Sequence, residues 1–137
     1  MSKLNEYFNS NDFEKSIEKA SEILIKEIQD QLDFLLPKDY VDVMKDFNGG
    51  EGGIGENSWL YLFPLEELLE QNHSYKLLMK EIPDYFLFGK DAADTGYAFH
   101  KQFHTIHSFG LMSNFKTDTI EFCGNNFIEF IAYLYNE

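Results

Sequence analysis

The stretch from Leu36 to Gly53, LPKDYVDVMKDFNGGEGG, restricts the fold more than any other part of the chain. Pro37 has a fixed φ suited to the first turn of a helix, and its missing N–H costs nothing there because that donor has no intrahelical partner. A helix is therefore expected from Pro37. Tyr40, Met44 and Phe47 recur at steps of four and three and share one face, while Asp39, Asp42 and Asp46 fall mostly elsewhere. Gly49 and Gly50 stop this helix, since glycine enters the left-handed conformation past a helix end without a Cβ clash. The stretch thus predicts a short helix running into a glycine-rich turn that joins an N-terminal helix to a sheet.

Upstream, Phe13, Ile17, Ala20, Leu24, Ile28, Leu32 and Leu35 repeat at steps of three and four, which predicts one amphipathic helix over Asn11–Leu36. Asn11 supplies an N-cap with Glu14 at the N3 position, and residues 1–10 are expected to fray. Ile23 and Ile25 widen the stripe, so this helix is expected to meet two neighbours.

Downstream, Trp59, Tyr61 and Phe63 alternate with Leu60 and Leu62, predicting a strand covered on both faces and ended by Pro64. Leu65 to Lys80 reads as a second sizeable helix, broken near His73 and Ser74, with Glu66, Glu67 and Glu70 at its positive end. Tyr85–Phe88, Tyr97–Phe99 and Thr105–Phe109 follow as strands in a spacing that suits a β-meander. Gly110–Asp118 is loop-like, although Leu111, Met112 and Phe115 need something to pack on. Thr119–Cys123 adds a last strand, and Gly124, Asn125 and Asn126 cap a final helix bearing Phe127, Phe130, Ile131, Tyr133 and Leu134.

A chain of 137 residues with 17% aromatic content suits one globular domain. The lone Cys123 excludes an intramolecular disulfide framework and fits a reducing cytoplasm. MSKLNEYFNSNDFEK has no apolar core of the signal-peptide kind, and no apolar run nears the ~20 residues that span a bilayer, so a soluble, unexported protein is expected. The formal charge is −13, from 24 acidic residues against 11 basic ones, all of them lysine. That balance repels phosphate backbones and anionic lipid, and argues against nucleic-acid binding. It also attracts basic partners and speeds their encounter.

No catalytic constellation stands out. His100, His104 and His107 have a spacing, H-x3-H-x2-H, that would serve a first-row metal on a helix, but their flanks read as strand and loop. The turns GGEGGIG and FGKDAADTG lack the phosphate-loop order, and Glu51 inside the first repels phosphate. The acids beside them lack the calcium-loop pattern. Cys123 has no histidine near it in sequence and reads as a buried core residue. Ser58, Ser108 and Ser113 lack the nucleophile-elbow motif. Trp59 is expected in the aromatic core rather than at a binding surface.

The order of these segments resembles the SUKH superfamily, the group that includes the Smi/Knr-type cell-wall assembly regulators. The stretches that carry the resemblance are LPKDYVDVMKDFNGGEGG, SWLYLFPLEELLEQN, PDYFLFGKDAADTGYAF and TIEFCGNNFIEFIAYL, which together cover most of the chain from about Ile23 onward. Ala93–Asp94–Thr95–Gly96 stretches a turn that in the family often carries an Asp–Gly pair, and His100 stands where the family has an acid. The resemblance implies a single α+β domain, with a mainly antiparallel sheet flanked by N-terminal, middle and C-terminal helices. It also implies a non-enzymatic role without a cofactor. Bacterial members of the family bind and neutralise a cognate toxin, often a nuclease, and fungal members are linked to glucan synthesis. Together with the charge, the resemblance predicts a basic protein partner met by Glu51, Glu56, Asp91 and Asp94. The alternative is a regulatory or scaffold domain of cell-wall or glucan synthesis.

Overall fold

The computed structural model describes residues 2–9, 12–115 and 118–137. In chain order its elements are α1 (Ser2–Phe8), β1 (Phe13–Lys15), α2 (Glu22–Asp30), α3 (Lys38–Asp46), β2 (Gly50–Ile54) and β3 (Ser58–Leu62). A 3-10 turn (Leu65–Glu67), α4 (Leu68–Ser74), α5 (Lys76–Met79), β4 (Tyr85–Lys90), β5 (Thr95–His100), β6 (Ile106–Gly110), β7 (Glu121–Gly124) and α6 (Phe127–Tyr135) complete the chain. The strands form one seven-stranded antiparallel sheet in the order β1 to β7, each paired with its neighbour in sequence. The architecture is α+β, and the sheet is the expected meander.

The N-terminal third departs from the expected long helix. Phe13–Lys15 pairs with Gly52, Glu51 and Gly50 as an edge strand, and the helical part begins only at Glu22. The N-cap is Ser21, whose Oγ accepts from Leu24 N at 3.1 Å, whereas Asn11 lies outside the described residues. The linking residues are tied down by backbone bonds to the end of α3: Ser16 N–H to Gly49 O, Ala20 N–H to Met44 O and Asn48 N–H to Glu18 O, each 2.9 Å. Ile17, Ile23 and Leu35, expected on the buried stripe, are therefore exposed. Instead of fraying, Ser2–Phe8 is helical and places Leu4 and Phe8 in the core, with the Phe8 ring 5.0 Å from Phe13 and 5.1 Å from Phe47.

The glycine-rich segment is a strand rather than a turn. Gly50 and Gly52 have φ of +158° and +144°, and a Cβ on Gly52 would lie 2.6 Å from Phe13 Cα. A side chain there would push β1 off the sheet. Past Pro37, α3 buries Tyr40, Val43 and Met44 as its spacing requires. It ends with Phe47 in an extended conformation, and the left-handed residue, Gly49 (φ +88°), comes only after Asn48.

Tyr40 packs its ring against Phe88, Phe99 and Phe127, at centroid distances of 5.9, 4.8 and 5.7 Å, joining α3 to the sheet and to α6. The Asp39 carboxylate accepts from Phe127 N at 2.8 Å and so fixes one helix start against the other. As expected, Asn126 caps α6, accepting from Glu129 N at 2.9 Å, and the middle helix breaks, here at Tyr75. On the opposite face of the sheet, Leu87 and Leu111 close over Gly96, whose missing Cβ would sit 2.9 and 2.7 Å from their methyl groups. Phe115 covers Phe109 beside them. No helix among the described residues is long and apolar enough to cross a membrane.

Candidate functional site

The register of β2 and β3 sets Glu51 opposite Tyr61 and Gly53 opposite Trp59. Strand alternation puts these four on the face away from Ile54, Leu60 and Leu62, which are fully buried. The cover over β5 and β6 does not reach this face, so Trp59 is 42% exposed. The strand expected to be covered on both sides is thus covered on one, and Trp59 is a surface residue.

Two hollows meet on this face at Glu51 and Tyr61. One is a groove of about 670 Å3 lined by Glu14, Ile17, Glu18, Glu51, Glu66 and Glu67, among others. The other, of about 310 Å3, is lined by Glu51, Trp59, Tyr61, Lys90, Asp91 and Ala92. Ile17 stands at the groove with 99% of its surface exposed, an apolar side chain that the fold itself does not use.

Several of these groups are held in place from behind. Asn48, only 5% exposed, accepts from Leu65 N at 2.9 Å and donates from Nδ2 to Glu66 Oε1 at 2.5 Å, so one buried amide starts the 3-10 turn and aims a carboxylate. The Tyr61 hydroxyl donates to Glu67 Oε1 at 2.7 Å. Burial, and then that carboxylate, push the Tyr61 pKa well above its ordinary value, so the hydroxyl stays protonated and remains a donor. Asp91 accepts from Ala93 N at 2.8 Å and Thr95 N at 3.0 Å through a single oxygen, Oδ1, which shapes the β4–β5 turn.

Lys15 lines the groove and Lys90 the smaller hollow, but neither forms an ion pair among the described residues. Lys15 donates to Asn9 at 2.9 Å and lies 5.1 Å above the Phe47 ring. Among the described residues the ion pairs are Lys26–Asp30, Lys38–Asp42 and Lys101–Asp33, none of which involves an acid of the groove. Among the described residues the groove lining contains neither histidine nor cysteine. Wide, acceptor-rich and flanked by exposed apolar side chains, it is suited to holding ammonium or guanidinium groups on another surface.

Of the four acids expected at a partner interface, Glu51 and Asp91 come together beside Trp59. Glu56 lies on the β2–β3 turn near Tyr135 and Glu137, and Asp94 is an exposed residue of the β4–β5 turn. The sequence reading missed Glu14, Ile17 and Glu18, because it assigned them to a helix, and passed over Glu66 and Glu67 as helix-start acids. The signal that relocates the first three is Ser21, a strong N-cap in the middle of the supposed helix.

The three histidines separate. His100 and His107 lie with ring centroids 6.5 Å apart, both edge-on to Tyr85, while His104 (φ +61°) lines a different hollow with Asp39 and Asn125. His100 Nδ1 accepts from the backbone N–H of Gln102 and Phe103, and His107 Nε2 is 2.8 Å from Thr105 Oγ1. Burial, and then the neighbouring His100, lower the His107 pKa. Among the described residues no three His, Cys, Asp or Glu side chains are grouped to hold a metal ion. Cys123 is buried, and desolvation raises its thiol pKa, against a smaller opposing effect of a hydrogen bond with Ser108, so it is poorly suited to act as a nucleophile.

Comparison with curated proteins finds no match to this chain. A family model does match, over residues 19–133, which takes in everything from the segment before α2 to the last turns of α6, and the chain therefore belongs to the SMI1 / KNR4 family (SUKH-1).

Proposed function

We propose that this protein is a non-enzymatic binding module of the immunity type, which occludes a basic toxin domain with the acidic face of β2 and β3. The observation that carries the reading is the groove itself: carboxylates outside any ion pair among the described residues, flanked by the exposed Ile17 and Trp59, on a chain of net charge −13. Complementary charge would set the encounter rate and the choice of partner, and the exposed apolar side chains would supply the contacts that hold the complex. Family membership supports this reading. It equally accommodates a regulatory or scaffold role in cell-wall or glucan synthesis, which the genomic neighbourhood distinguishes: a large toxin-like reading frame alongside favours the first, an envelope-synthesis locus the second.

The test is co-expression with the adjacent toxin-like gene. Wild-type protein is expected to restore growth and to co-purify with the toxin domain, with binding that weakens as salt rises. Glu51→Lys combined with Glu67→Lys should abolish both effects without unfolding the protein. Growth arrest despite abundant folded wild-type protein, or protection untouched by the charge reversal, would refute the proposal.

A further inference from the structure

The sheet opens between β3 and β4. Their pairing is confined to Tyr61↔Lys90 and Leu62↔Gly89, so the strands part before Trp59 on one side and Asp91 on the other. The last turn of α6 contributes Tyr133 to the same space, and Glu137, just past the helix end, joins it. The result is a cavity of about 410 Å3 whose lining includes Trp59, Asp91, Tyr97, Glu121, Tyr133 and Glu137 and, among the described residues, neither lysine nor histidine. Asp91 spends only one carboxylate oxygen on its own turn. Among the described residues, nothing donates to the Glu121 carboxylate.

Tyr97 points to a ligand independently of these charges. It is 7% exposed and lines the cavity, yet its hydroxyl makes no hydrogen bond to any described residue. Burial, and then the Asp91 carboxylate, raise its pKa, so the group remains a neutral hydroxyl. The ring is buried but the hydroxyl is not sealed off, Tyr40 being the buried unpartnered case among the described residues, so the Tyr97 hydroxyl takes its partner from whatever occupies the cavity, water included.

We propose that this cavity receives the guanidinium of an arginine side chain from a basic protein partner. Guanidinium has five N–H donors and no acceptor, which matches a lining of carboxylates and hydroxyls. It forms paired bonds to a carboxylate, packs against aromatic rings, and is less strongly hydrated than the ammonium of lysine, so it enters a half-enclosed site more readily. This sequence contains no arginine, so the guanidinium has to come from a different protein. The inference rests on the binding-module reading and adds to it the anchor residue that the partner must supply.

Trp59 is the only tryptophan and lines the cavity, so its emission reports occupancy. The full chain is titrated with the blocked tripeptide Gly-Arg-Gly, alongside its lysine counterpart and its citrulline counterpart, which is neutral and nearly isosteric. A saturable change is expected with the arginine peptide and weaker binding with the lysine peptide. Binding should fall about tenfold or more with citrulline and in the Glu121→Gln/Glu137→Gln variant. Tyr97→Phe removes only an unpartnered hydroxyl, and should weaken binding while leaving the fold intact. No saturable change at millimolar peptide, an equal response to citrulline or lysine, or a Tyr97→Phe variant that binds like wild type would overturn the proposal. If peptide binding fails while toxin protection persists, only the cavity assignment falls; if the peptide binds and protection is absent, only the immunity reading falls.

Discussion

Tyr40 is fully buried, and its hydroxyl is the one buried side-chain polar atom among the described residues without a hydrogen-bond partner. Desolvation drives its pKa far up, so the group stays neutral and contributes ring packing against Phe88, Phe99 and Phe127 at the expense of a stranded polar atom. Tyr40→Phe keeps the ring and removes the atom, so it should leave stability unchanged or raise it by about 1 kcal/mol. The check is the urea midpoint with an unchanged slope; a loss of that size would mean that the hydroxyl has a partner, such as a buried water. Asn48 is the contrasting case, a buried amide with its oxygen and nitrogen both bonded. Residue-scale features with a local signature were legible in the sequence: Asn126 as a cap, Pro37 before α3, and Tyr40 and Met44 as core. The role of Asn48 was not, because its partners Leu65 and Glu66 become its neighbours only through the turn between β2 and β3.

β1 is three residues long and lies at the sheet edge, where pairing is weakest, and it stays paired because glycines at 50 and 52 let it come close. Gly52→Ala adds a Cβ at φ +144°, against Asp12 O and 2.6 Å from Phe13 Cα, whereas Gly53→Ala meets only the Asp12 side chain, at 3.0 Å. Gly52→Ala is therefore expected to cost about 2–4 kcal/mol, and Gly53→Ala much less. Urea unfolding, with hydrogen exchange of the β1 amides as a local readout, checks both variants; equal effects would contradict the close approach. The same region defeated the sequence reading. Phe13, Ala20, Leu24 and Ile28 are spaced as one helical stripe, yet Phe13 is buried by an edge strand, Ala20 by a loop pinned to Met44, and the last two belong to a nine-residue helix. Spacing registers which residues are apolar and says nothing of which element buries each one. The candidate site suffered in proportion. Glu51 and Asp91 were legible as loop acids, but Glu14 and Ile17 came with the misread helix, and Trp59 with a strand assumed to have two covered faces.

At the scale of the whole molecule, 24 acidic residues face 11 lysines, and the ion pairs among the described residues join side chains that are mostly solvent-exposed. Such pairs are worth little each, so screening them costs the fold little. The excess negative charge disfavours the compact state by self-repulsion, which salt screens: the Debye length falls from ~20 Å at about 0.02 M to under ~5 Å at about 0.5 M. Simple monovalent salt is therefore expected to stabilise the free protein, raising its melting temperature by about 3–6 °C over that range. Association with a basic partner should respond with the opposite sign, because the same screening removes the attraction that guides it. Melting curves of the free chain and binding measurements on the complex across one salt series test both halves together. A free protein that loses stability as salt rises would mean that attractive pairs dominate its surface, and the view of an anionic face held ready for a cationic partner would fail with it.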